Sequence, residues 1–259
     1  MALRLCPCCG FSETSTNKTI GEFNISICNS CGFLFVENPP ESSIADNPVS
    51  KLRHTEVPTP KRRHYYTRNL IDRLDTGNRV IEIGSGFGAL GKLLTANGYD
   101  YLGFEPDKGR ADVASSGGVP VEPHVFDPSE VTGSVDVVVI DNVLEHVHDP
   151  QSILNDAAEV LSESGTLIVI VPNRYDIRRA HPGWAQRHFW IPPAHINFFR
   201  WKDLQRMCSS AGFSIRPFPV RSHVTDDLHT KDLGFIIKSL IEKTGFTPLG
   251  LYAYGSLSE

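Results

Sequence analysis

Long apolar runs are missing from this sequence. No stretch reaches the roughly 18 consecutive apolar residues of a membrane-spanning helix. The opening Met1-Ala-Leu-Arg-Leu-Cys6 lacks the apolar core of a secretory leader. The expected compartment is therefore cytoplasmic, with no membrane partner. A basic excess is missing too: 25 Lys and Arg stand against 30 Asp and Glu, for a net charge of −5. Surfaces that grip nucleic-acid phosphates are strongly basic, so no nucleic-acid partner is expected. Repeats and low-complexity tracts are absent. Cysteine is scarce over most of the chain: of six, only Cys208 lies beyond position 31. A disulfide framework would spread its cysteines along the chain, whereas clustering at one end points to metal.

The cluster consists of Cys6-Pro-Cys8-Cys9 and Cys28-Asn-Ser-Cys31, each followed by a glycine, Gly10 and Gly32. Two thiolates three residues apart can wrap one metal ion. Two such knuckles give four sulfurs in tetrahedral geometry, a closed structural zinc site. The expected Zn2+ ligands are Cys6, Cys9, Cys28 and Cys31. Cys8 breaks the three-residue spacing and reads as a bystander, although it could replace Cys6 or Cys9. A segment of about 40 residues has too small a core to stand without such a staple. Phe23–Cys28 alternates apolar and polar residues as a short strand does. Cys208, on an expected helix, reads as a small core residue.

The pattern predicts a zinc ribbon over 1–40, a proline-rich linker over 41–60 and one large domain over 61–259. That domain opens with a predicted helix from Lys61 to Leu74, stopped by Gly77. Its basic cluster Lys61, Arg62, Arg63 and Arg68 reads as a solvated face. Arg79-Val-Ile-Glu-Ile-Gly84-Ser-Gly86-Phe-Gly88 reads as a buried strand running into a glycine turn and a helix. The next strand, Tyr101–Glu105, ends in a carboxylate about 20 residues beyond the glycines, where it can accept from both hydroxyls of a ribose. This is a nucleotide half-site of a Rossmann-like sheet. Gly84-x-Gly86-x-x-Ala89 also satisfies the dinucleotide fingerprint. Glu82 argues against it, since a carboxylate beside the turn repels a pyrophosphate and suits a cationic cofactor.

With these motifs, and with Gly103-Phe-Glu-Pro-Asp107 and Val135-Asp-Val-Val-Val-Ile-Asp-Asn-Val-Leu-Glu-His146, the chain resembles the class I S-adenosylmethionine-dependent methyltransferases. The cysteine module in front is similar to that of small-molecule methyltransferases with an N-terminal zinc-binding domain. The resemblance implies an α/β fold, a Rossmann-like doubly wound seven-stranded sheet carrying a small zinc ribbon. It assigns Glu82, Gly84, Gly86 and Gly88 to the methionine and ribose side of S-adenosylmethionine, and Glu105 to the ribose hydroxyls. Asp127 falls where the cofactor's adenine would approach, with a turn-forming Asp-Pro as the alternative. Asp141 and Asn142 end the fourth strand beside the cofactor, with capping of a following helix as the alternative.

Methyl transfer to a hydroxyl or amine also needs a proton acceptor. His146, after strand four, and His195 are the catalytic candidates. His195 follows Trp184, His188, Phe189 and Trp190, an aromatic-rich segment that could form a lid over the acceptor. The expected partner is a small-molecule methyl acceptor. Two other functions compete. One is an RNA methyltransferase whose ribbon contacts RNA, although residues 1–40 hold only Arg4 and Lys18 against Glu13, Glu22 and Glu37. The other is a non-catalytic partner-binding module.

Overall fold

The computed structural model describes residues 4–40, 54–180, 182–218 and 250–258. The predicted helix over Leu233–Ile241 lies outside them, as does most of the predicted linker. The central strands are β4 (Arg79–Ile83), β5 (Asp100–Phe104), β6 (Val121–Glu122), β7 (Val135–Asp141) and β8 (Leu161–Pro172). With β10 (Phe213–Pro217) and β11 (Gly250–Leu257) they form a seven-stranded sheet in the order β10-β11-β8-β7-β4-β5-β6. The β8-β7-β4-β5-β6 ladder is parallel, and β11 pairs antiparallel with both β8 and β10. This is the expected Rossmann-like architecture.

The valine-rich β7 shows why. A strand buried on both faces reads as a continuous apolar run. Val137 and Val139 point to one apolar cluster with Leu90, Leu94 and Ile71, from helices α2 (Ala89–Thr95) and α1 (Arg62–Leu74). Val138 and Ile140 point to the other, with Leu154 and Ala157 of α4 (Pro150–Val160) and Leu204 and Met207 of α6 (Trp201–Ser210). Between β5 and β6 lies α3 (Lys108–Ser116). The chain leaves β4 toward β5 on one side and returns as β7 on the other. The crevice at the carboxyl ends of β4 and β7 is thus the switch point where ligands bind in such sheets.

The cysteine module folds as three antiparallel strands, β1 (Thr14–Ile20), β2 (Phe23–Cys28) and β3 (Leu34–Val36). A fourth strand comes from far along the chain: β9 (Asn197–Phe198) pairs antiparallel with β3, through Leu34↔Phe198 and Phe35↔Asn197. Cys6, Cys8, Cys28, Phe33 and Phe35 lie in the same apolar cluster as Leu204 and Met207. The module shares the large domain's core and takes β9 from it into a separate four-stranded sheet, β1-β2-β3-β9.

Several local expectations change. The aromatic-rich segment forms α5 (Pro182–His188) and then a loop over 189–196. Phe189 and Trp190 are buried against Ile25, Leu34 and Val36, where they join the module to the domain and do not wall a pocket. Helix α1 stops at Asp75, in the left-handed conformation with φ 49°, two residues before Gly77. Cys208 is buried on α6, as expected.

Candidate active site

Gly84, Gly86 and Gly88 carry the chain from β4 into α2 with φ between 58° and 76°. Their surroundings differ. A Cβ on Gly84 would meet Val143 Cγ2 at 2.4 Å, whereas a Cβ on Gly86 would meet nothing within 4 Å. Gly84 is fixed by packing; Gly86 faces open space, the cradle a ligand would fill. Glu105 stands across from it at the end of β5. Its Oε2 accepts from the Gly86 N–H at 2.8 Å and its Oε1 from the Asp107 N–H at 2.9 Å. Each oxygen keeps a second lone pair for an incoming donor. Glu82 sits beneath the turn, buried, and accepts from the Tyr101 hydroxyl at 2.6 Å. Burial pushes its carboxyl up to about 8.

Asp127 lies on the loop between β6 and β7. It is exposed and accepts from both the backbone N–H and the hydroxyl of Ser129, capping a short turn. Both bonds fall on Oδ1, so the Asp-Pro turn engages one of its two carboxylate oxygens. Asp141, at the end of β7, is buried and accepts from Arg63 Nε at 2.6 Å and from Asn142 Nδ2 at 2.6 Å. Asn142 is left-handed, with φ 56°. Neither residue caps a helix: residues 143–148 form turns, and α4 is capped by Asp149, which accepts from Ser152 N–H. Arg63, expected on a solvated face, instead crosses to the switch point. Burial opposes its charge, but Asp141 more than compensates and raises its pKa.

The two candidate histidines meet, with ring centroids 4.9 Å apart. Ring nitrogen Nδ1 of His146 lies 2.6 Å from the Ala194 carbonyl, and Nδ1 of His195 lies 3.2 Å from the Phe189 carbonyl. A carbonyl can only accept, so both Nδ1 atoms carry the proton and both Nε2 atoms offer lone pairs. Burial lowers the pKa of both rings, that of His195 to about 3. Between them lies Glu145, fully buried, its carboxyl pushed up to about 8 by burial. The sequence placed Glu145 in a motif without giving it a role. Its position directly before a candidate histidine, at the exit of a buried strand, was the available signal.

Asn197 was not anticipated either. Its buried side-chain amide donates to the carbonyls of Leu144 at 2.7 Å and Val147 at 2.8 Å. The backbone N–H groups of Ile196 and Asn197 both donate to the Glu145 carbonyl. These bonds tie the Glu145–His146 turn to the segment carrying His195. The same segment is gripped by the cysteine module through β9 and through Arg200 Nη2 donating to the Cys31 carbonyl at 3.0 Å, and Arg174, just after β8, adds a bond from Nη1 to the Gly32 carbonyl at 2.9 Å.

The sulfurs of Cys6, Cys9, Cys28 and Cys31 all lie within 4.8 Å of one another, and Cys8 is not among them. Cys6 to Cys31 and Cys9 to Cys28 are each 3.6 Å. A tetrahedral zinc with bonds of about 2.3 Å spaces its sulfurs by about 3.8 Å, so this donor set fits that ion. The Cys31 and Phe33 N–H groups point at Cys28 Sγ and Cys31 Sγ, at 3.5 and 3.4 Å, as in a preformed knuckle.

Residues 60–217 match the family model described as a methyltransferase domain. A probable S-adenosylmethionine-dependent methyltransferase of Mycobacterium tuberculosis is 29% identical over 187 residues, covering 68% of this chain and 66% of that protein. A ubiquinone biosynthesis O-methyltransferase of Azorhizobium caulinodans is 34% identical over 105 residues, 38% of this chain and 42% of that protein. The match to an uncharacterized methyltransferase of a Mycobacterium species covers 38% of that relative's length. Among solved structures, a methyltransferase from Archaeoglobus fulgidus superimposes with a TM-score of 0.54 at 16% identity, covering 76% of this chain and 94% of that one. The likeness in structure is one of fold. The match over residues 60–217 takes in most of the chain, which belongs to the methyltransferase-domain family.

Proposed function

We propose that this protein transfers a methyl group from S-adenosylmethionine to a small-molecule acceptor. The carrying observation is a juxtaposition at the switch point. An open glycine cradle facing Glu105 leaves β4, and a buried Glu145–His146–His195 cluster follows β7. S-adenosylmethionine supplies a methyl carbon bound to a cationic sulfur. Gly84, Gly86 and Gly88 let the backbone approach it closely, Glu105 receives its ribose hydroxyls, and Glu82 and Asp141 favour its positive charge. On the other side, His146 and His195 face the acceptor and take part in removing its proton. Cys6, Cys9, Cys28 and Cys31 hold a structural zinc that keeps β3, and through it β9, in place.

Two observations support a small acceptor. One relative is named as a ubiquinone biosynthesis O-methyltransferase, and residues 1–40 hold two basic residues against three acidic ones, where a ribbon that grips RNA should be basic. Calorimetry tests the cofactor half directly. S-adenosylmethionine should bind at micromolar concentrations, and labelled cofactor should pass methyl groups to small metabolites with release of S-adenosylhomocysteine. A folded protein giving no binding heat would refute the reading.

A further inference from the structure

Both carboxylate oxygens of Glu145 are buried and have no hydrogen-bond partner. Leaving such a group unsatisfied is costly, and native folds rarely do so without a ligand in view. Around it the chemistry is one-sided. Both neighbouring imidazoles are held by backbone carbonyls at Nδ1, so each presents an Nε2 lone pair. His146 Nε2 stands 3.8 Å from Glu145 Oε1. The ligand atoms of Glu145, His146 and His195 all lie within 4.8 Å of one another. Three groups with ligating lone pairs converge there. Fixing the far nitrogen of a histidine on a carbonyl is also what orients metal-ligating imidazoles.

The geometry points to a second metal site, in which Glu145, His146 and His195 bind a divalent cation. Two imidazoles and one carboxylate suit a first-row ion such as Mn2+, Fe2+ or Co2+ and leave coordination positions open. The His146 side chain remains 21% exposed, so solvent reaches the cluster on that side. Asn197, bonded to Leu144 and Val147, fixes the ligand-bearing turn.

This rests on the acceptor-side placement proposed for the cluster; with both Nε2 atoms on the cation, the histidines promote proton removal through it and not as free bases, which narrows the substrate class to an acceptor with a metal-binding oxygen, such as a hydroxyl beside a second oxygen donor. The bound cation lowers that hydroxyl's pKa and its proton leaves to solvent. The oxygen lone pair then forms the new bond to the methyl carbon, and the sulfur–carbon bond breaks with its electron pair returning to sulfur.

The test uses full-length protein with its cysteine site filled with zinc, so that the thiolates do not compete, and Mn2+ as the probe. Paramagnetic resonance should count one bound Mn2+ per chain, and Mn2+ should raise the melting temperature. Glu145→Gln and His195→Gln should each weaken Mn2+ binding at least tenfold. Glu145→Gln should also melt higher than wild type without metal, because the unpartnered carboxyl is gone, and should lose the Mn2+-dependent rise. Exposed His188→Gln should leave binding unchanged. Wild-type protein with no saturable Mn2+ site, or with binding indifferent to Glu145→Gln, would overturn the metal site. If S-adenosylmethionine still binds in that case, the methyltransferase reading stands and only the cation is lost; if it does not, that reading fails separately.

Discussion

Everything on the β4 side of the crevice comes from one run of chain, residues 79–107: a strand, a glycine turn, a helix, and a second strand ending in Glu105. The β7 side is gathered from afar. Arg63 arrives from α1, Glu145 and His146 from a turn after β7, and His195 from the segment before β9, which is itself paired with β3. One half is held by its own backbone and the other by long-range pairing through the cysteine module. The halves should therefore fail separately, the assembled one first.

The largest effect is expected from stripping zinc or replacing Cys31 by serine. A structural zinc contributes folding energy outright. Losing it frees the Cys31 and Gly32 carbonyls that Arg200 and Arg174 hold, and with them the β3–β9 pairing. Elemental analysis should first find about one zinc per chain in the intact protein. Its removal should lower the melting temperature by about 10 °C and abolish methyl transfer, while S-adenosylmethionine affinity falls only a few-fold. Equal loss of both functions would show that the two halves are one unit.

The converse is Gly86→Arg. The left-handed φ of 58° makes any side chain there strained by about 1–2 kcal/mol. The space is open, so stability should otherwise hold. The arginine enters the cofactor's space, and affinity should fall about 100-fold or more, close to 3 kcal/mol, with zinc content unchanged. Asn197→Ala acts on the assembled half. It strands the carbonyls of Leu144 and Val147, costing about 2 kcal/mol in chemical denaturation. It should lower kcat while leaving cofactor affinity within a few-fold of wild type.

The same division decides what was legible beforehand. The glycine turn, Glu105 beside it and the convergence of the four cysteines were readable because each is written at fixed short spacings. Asp127 reads both as a cofactor contact, from its place in the order of motifs, and as a turn former, from the proline after it; its two bonds to Ser129 show the turn. Phe189 and Trp190 read as part of a lid over the acceptor because aromatics in a polar stretch carry no label of what they pack on; their partners Ile25, Leu34 and Val36 lie more than 150 residues away in sequence. Arg63 looked solvated for the same reason, since nothing local announces Asp141. The histidines were found by type, and their meeting depends on Asn197, whose signal was only a polar residue amid Ile196, Phe198 and Phe199.

The smallest effect sharpens the cofactor half from within. Burial raises the Glu82 carboxyl from an ordinary 4.5 to about 8 in the fold. The native state therefore keeps a proton that the unfolded chain releases. Glu82's contribution to stability is full below about pH 4.5 and declines as pH rises toward about 8. A cationic ligand prefers the ionised form, so cofactor binding should move the other way, with affinity rising several-fold between about pH 6 and about pH 8. Glu82→Gln keeps an acceptor for the Tyr101 hydroxyl and removes the titration. It should flatten both profiles, melt at or above wild type near pH 8, and bind S-adenosylmethionine more weakly there. Thermal melts and calorimetry across that range check both slopes. A cofactor affinity that stays constant with pH in wild type would remove Glu82 from the binding half and leave it a buried partner of Tyr101 alone.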